Sequence, residues 1–134
     1  MERKKVLVIE DNDLNMKLVA ALLSISHFEV IKAANAEQGL QLARKERPGL
    51  ILMDIQLPGM DGLTATRLIK EDEDLKNIPV IALTSYAMQG DEQKAFAAGC
   101  TGYIPKPIDT RKFIEVVEEF LGGDPLDQRV GNKE

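Results

Sequence analysis

Three carboxylates stand at the ends of short apolar runs, an arrangement from which a cation site can be built. Glu10 and Asp11 follow Val6-Leu7-Val8-Ile9, and Asp54 follows Leu50-Ile51-Leu52-Met53. Clustered anions repel one another, and a bound cation removes that cost. Oxygen ligands select a hard cation. Mg²⁺ suits the set because it accepts few protein ligands and keeps several waters. Two more polar residues close later apolar runs: Thr84 after 79–83, and Lys106 after 102–104. A carboxylate nucleophile, a metal site, a hydroxyl and an ammonium together suit phosphoryl transfer, where a protein mainly positions groups and neutralises charge. Singly, Thr84 is an ordinary strand-end threonine and Lys106 an ordinary surface lysine. The place of Lys106 between Pro105 and Pro107 sets it apart.

Holding these residues together is the work of an alternation of strands and helices. Apolar runs at 6–9, 28–31, 50–53, 79–83 and 102–104 read as strands. Helical periodicity fills the intervals. Near 13–25 it places Leu14, Leu18, Val19, Leu22 and Ile25 on one face. Asn35 caps a helix over about 36–46 that Pro48 ends. Pro58-Gly59 and Asp61-Gly62 punctuate a loop before a helix reaching about 71. A weak helix over about 88–98 contains Gly90 and the small residues Ala95, Ala97 and Ala98, and Gly99 closes it. Asp109 or Thr110 caps a last helix with Phe113, Val116, Val117, Phe120 and Leu121 on one face. The strands are apolar throughout, so both faces of the sheet are covered, which is the mark of a parallel α/β sheet. Ligands of such sheets bind at the carboxyl ends of the strands, where the strand order reverses. If the order is 2-1-3-4-5, the first and third strands are neighbours and their three acids converge.

Composition narrows the functions. The 134 residues fit one domain. The formal net charge of -5 argues against nucleic acid or an anionic membrane as partner. Cys100 is the single cysteine, which excludes an intrachain disulfide and points to a reducing, cytoplasmic setting. It reads as a buried hydrophobe. The first apolar run is too short for a signal peptide, and no stretch approaches a membrane span. His27, the one histidine, falls at the turn into the second strand and reads as a solvated loop residue. Residues 1–121 form the expected domain. Residues 122–134 are polar and without apolar period, the pattern of a flexible tail or the start of a linker.

Four motifs carry a resemblance. Glu10-Asp11-Asn12, the run Met53-Asp54-Ile55-Gln56-Leu57-Pro58-Gly59-Met60-Asp61-Gly62, Leu83-Thr84-Ser85 and Lys106-Pro107 make the chain similar to the receiver domains of two-component response regulators over about 4–121. The resemblance implies a flavodoxin-like, doubly wound five-stranded sheet in the order 2-1-3-4-5 with five helices. It implies that Asp54 accepts a phosphoryl group from a histidine kinase or histidine phosphotransfer protein. Mg²⁺ would then be held by Asp11, Asp54, the Gln56 carbonyl and Glu10, the last through water. Thr84 would meet the phosphoryl oxygens, Lys106 would pair with the phosphate, and Tyr103 would swing inward as Thr84 moves. A cis Lys106-Pro107 peptide belongs to the same pattern.

The same resemblance assigns the surfaces. The segment opening the first helix at Asp11 would help dock the phosphodonor, with Leu14 either an exposed anchor or core. Residues from about 86 to 121 would form the output face toward a downstream protein target. Ser85 stands where Ala is commonest, and Gln56 and Tyr86 sit at positions that tune phosphoryl lifetime. The runs at 10–18 and 70–75 look most like stand-alone receivers of the cell-division type; a receiver cut from a hybrid kinase or output protein is the alternative. Rival readings are weaker. A haloacid-dehalogenase-like phosphatase needs an Asp where Gln56 stands. A nucleotide or flavin carrier needs a phosphate loop that this acidic sequence lacks. A receiver that binds without phosphorylation would not be expected to keep every polar group of the set.

Overall fold

Five strands of four or five residues alternate with five helices. In the computed structural model they are β1 (Lys5–Ile9), α1 (Asp13–Ile25), β2 (Glu29–Ala33), α2 (Ala36–Glu46), β3 (Leu50–Asp54), α3 (Gly62–Glu71), β4 (Val80–Thr84), α4 (Gln89–Ala98), β5 (Gly102–Pro105) and α5 (Thr110–Leu121). The structure describes residues 4–84 and 89–121, without the side chains of 89–91. Ser85, Tyr86, the Gly90 side-chain position and the tail from 122 therefore lie outside the described residues.

The sheet is parallel in the order β2-β1-β3-β4-β5. β1, β3 and β4 are buried almost along their full length, so each strand feeds two cores. One core joins Leu7, Ile9, Ile51, Met53 and Ala82 to α2, α3 and α4 through Leu40, Ala65, Ile69 and Ala95. The other joins Val6, Val8, Leu52, Ile81 and Leu83 to α1 and α5 through Val19, Leu23, Phe113 and Val117. Full burial of one such aliphatic side chain contributes about 1.5–3 kcal/mol, so these layers dominate the stability.

Local chemistry sets the helix starts. Asn12, Asn35 and Asp61 each accept a backbone N–H in the first turn of α1, α2 and α3, at 2.9, 2.8 and 2.8 Å. Asn35 is the cap the sequence predicts. Gly62 begins α3 because nothing larger fits. A Cβ there would strike the Asp54 carbonyl oxygen and lie 2.9 Å from Ile55 Cα. The loop after β3 is thus held tightly under α3.

Two expectations need correction. The second strand starts at Glu29 and runs to Ala33, two residues beyond the predicted end. Phe28 belongs to the preceding turn: its N–H donates to Leu23 O at 3.0 Å, closing α1, and its ring packs in the core. Of the α1 face drawn through Leu14, Leu18, Val19, Leu22 and Ile25, only Val19 and Leu22 reach the core. Val19, Ala20 and Leu23 face the sheet, while Leu14, Leu18 and Ile25 are exposed. His27 is exposed in the left-handed region at φ 70. Among the described residues no helix is long and apolar enough to cross a membrane.

Candidate phosphoryl-transfer site

The order reversal between β1 and β3 brings the acids together. Glu10 comes directly after β1, and Asp54 is the last residue of β3. Glu10, Asp11 and Asp54 each offer a carboxylate oxygen, and these three lie within 4.8 Å of one another. Glu10 and Asp54 are 2% and 3% exposed, whereas Asp11 is exposed at the rim. Thr84, 3% exposed, ends β4 at the same edge, and Lys106 follows β5. The Lys106 N–H donates to Thr84 O at 2.7 Å, which fixes the lysine backbone over the sheet end. The Lys106-Pro107 peptide is cis.

Lys106 Nζ lies 2.8 Å from Glu10 Oε1 and 3.3 Å from Asp54 Oδ2. One ammonium therefore faces two buried carboxylates. The other oxygens are held by backbone: Asn12 N–H donates to Glu10 Oε2 at 3.1 Å, and Gln56 N–H to Asp54 Oδ1 at 2.9 Å. Glu10 Oε1 has its ion pair but no hydrogen bond of good geometry. Its charge is met by the Lys106 ammonium, which it shares with Asp54.

The electrostatics follow from this crowding. Burial pushes the Asp54 carboxyl up, to about 7; the Gln56 N–H works against it, and the Glu10 charge pushes it further up against the pull of Lys106. Burial alone would lower the Lys106 pKa, but the two carboxylates outweigh it and raise it. One positive charge does not compensate three neighbouring acids. The donor set, all oxygen with one exposed member, fits a hard divalent cation that keeps part of its water shell.

Tyr103 lies one strand over, on β5 beside Ala82 of β4. It is partly buried, its ring meets Phe96 of α4 edge to face at 6.3 Å, and its hydroxyl bonds the Glu92 carboxylate, which raises its pKa. Glu92 and Phe96 were not singled out by sequence reasoning. Their i, i+4 spacing, which puts both on one face of α4, was the available signal. The structure thus gathers Glu10, Asp11, Asp54, Thr84 and Lys106 at one edge, with the Gln56 backbone beside Asp54. It sets Tyr103 against α4.

Residues 6–118 match the response regulator receiver domain. The chain belongs to that family. The receiver is 50% identical over 119 residues to the polar-differentiation response regulator DivK of Brucella anthropi, covering 89% of this chain and 97% of that one. It is 49% identical to DivK of Brucella ovis over the same shares. Among solved structures, the receiver domain of a sensor histidine kinase from Pseudomonas aeruginosa superposes with a TM-score of 0.84 at 33% identity, over 91% of this chain and all of that one. That protein holds a magnesium ion in its active site cleft. Chemotaxis response regulator CheY4 of Vibrio cholerae gives 0.84 at 25% identity, over 89% of this chain and 99% of that one. The receiver is therefore a two-component phosphorelay response regulator.

Proposed function

We propose that Asp54 of this receiver accepts a phosphoryl group from a phosphohistidine on a kinase or phosphotransfer protein and that the resulting charge changes the surface read by a protein target. The observation that carries this reading is the convergence of Glu10, Asp11 and Asp54 within 4.8 Å, with Lys106 Nζ on the two buried members. An Asp54 carboxylate oxygen attacks phosphorus as the phosphorus–nitrogen bond to the donor imidazole breaks. Mg²⁺, when bound by Glu10, Asp11, Asp54 and the Gln56 carbonyl, neutralises the negative charge gathered there. Lys106 then turns its ammonium to the new phosphoryl oxygens, and the Thr84 hydroxyl donates to another. Tyr103 follows Thr84 and leaves Glu92 and Phe96, so the β4–α4–β5 surface changes.

The protein acts as a switch that catalyses only its own phosphorylation and dephosphorylation, and turns over no external substrate. It works in the cytoplasm, without nucleic acid or membrane as partner. Residues 1–121 are the receiver domain and 122–134 a tail or the start of a linker. Leu14, 76% exposed and beside the acid edge, helps seat the phosphodonor.

The test is incubation with Mg²⁺ and acetyl phosphate, followed by mass spectrometry of the trapped adduct. One Mg²⁺-dependent phosphoryl adduct on Asp54, lost in Asp54→Asn, supports the reading. Robust incorporation elsewhere, or failure of both acetyl phosphate and beryllofluoride to modify the site, sinks it. Phosphorylated Thr84→Ala and Lys106→Ala should bind the target more weakly than the phosphorylated parent.

A further inference from the structure

A second apolar stripe on α1 lies outside both cores. Leu14 and Ile25 are 76% and 75% exposed, Leu18 is 37% exposed, and Ala21 between them is exposed too. Their spacing of four, three and four residues is the seam along which one helix packs on another. Val19, Ala20 and Leu23 already fill the sheet-facing side, so this stripe is not spare core. It runs about 16 Å, the full length of the helix, away from the acid edge. Rows of exposed aliphatic side chains mark contact surfaces.

The stripe is complementary to itself. Laid antiparallel on a second copy about a twofold axis between Leu18 and Ala21, Leu14 meets Ile25 and Leu18 meets Ala21. The small alanine opposite leucine lets the helices approach at the centre. The flanking charges obey the same symmetry. α1 runs against the strands, so Lys17 and Lys32 stand toward the acid edge while Glu29 stands at the far end. Lys17, Ser24, Glu29 and Lys32 line one shallow groove between α1 and β2. The twofold axis brings Glu29 of each copy to the lysine end of the other. It also sets Asp13, at the start of α1, toward the His27 turn.

We infer that α1 is a homodimer face, occupied by a second copy of this chain in antiparallel register. The contact is isologous, so every residue counts twice. One helix face is small beside the roughly 1,200–2,000 Å² of a stable interface, so the dimer forms reversibly with concentration. Leu14 is covered in it, and the dimer therefore shields the acid edge from an incoming phosphodonor. The inference does not depend on phosphoryl transfer.

Sedimentation of the full chain over a concentration series tests it. The mass should rise from 14.8 kDa toward twice that value. Ile25→Glu should weaken association by about a hundredfold or more, because two buried contacts are lost, with an unchanged thermal melt showing that the fold is intact. Mixed Leu14→Cys and Ile25→Cys chains should cross-link to each other faster than either does to itself, which reports the register. A parent chain that stays at 14.8 kDa throughout overturns the inference, and so does a dimer indifferent to Ile25→Glu.

Discussion

Replacing Asp54 by Asn should stabilise the metal-free receiver above neutral pH. Asp54 is 3% exposed and shares one ammonium with Glu10. Burial first, and Glu10 after it, carry its pKa from 3.8 to about 7. The sign follows from proton counts. Below about pH 4 the carboxyl is protonated in both folded and unfolded chains, and parent and variant are alike. Between about pH 4 and about pH 7 the folded chain holds a proton that the unfolded chain has released, so parent stability falls as pH rises, and above about pH 7 the loss is complete. About three units at about 1.4 kcal/mol each set a ceiling near 4 kcal/mol. Water at the exposed Asp11 and Gln56 rim screens part of this, and Asn gives up the attraction of Lys106. The net gain is then about 1–2 kcal/mol, or several degrees of melting temperature. Asn keeps the acceptor for the Gln56 N–H, so the loop after β3 retains its tether. The assay is a pair of thermal melts in chelator at about pH 4 and about pH 8, repeated with saturating magnesium. The variant should gain only at the higher pH, and magnesium should stabilise the parent more. A parent as stable as Asp54→Asn at about pH 8 in chelator would refute the reasoning.

Lys106→Met removes the one cation facing two buried acids; the metal-free protein should lose about 2–3 kcal/mol near pH 8 by denaturant titration, and magnesium should restore much of it. Gly62→Ala drives a methyl into the Asp54 carbonyl and should cost about 2 kcal/mol or more, read as a shift in denaturant midpoint, together with slower Asp54 modification. Lys70 Nζ donates to Ile78 O at 2.7 Å and Lys76 O at 3.1 Å, so Lys70→Met should cost about 1–3 kcal/mol and raise amide exchange in the loop before β4. Arg44→Ala breaks an exposed pair with Asp72 and should shift the denaturant midpoint by less than about 0.5 kcal/mol equivalent.

What could be read from sequence was what local chemistry decides. β1, β3 and β4 are apolar on both faces, so a helix-covered parallel sheet was visible before any contact was known, and polar residues at strand ends then had to share an edge. Asn35 marked a helix start because it supplies an acceptor, and Asp61-Gly62 marked the end of the loop before α3. α1 was different. Met16, Val19 and Leu23 make one apolar stripe and Leu14, Leu18 and Ile25 another, and periodicity has no means of ranking them. The choice is tertiary: the sheet takes the stripe that meets Val6, Val8 and Phe28, and the other stays in water. Tyr103 shows the same limit. Its type and place on β5 were legible, but the contacts that hold its ring come from Glu92 and Phe96, on a helix whose pattern had predicted only that it is weak. The sharing of Lys106 between Glu10 and Asp54 likewise has no sequence signature, since three strands must be brought together before one ammonium can face both acids. Residues 14, 18 and 25 gain their meaning from that division: what the fold declines to bury, at a spacing fit for a helix, is available for another chain to cover.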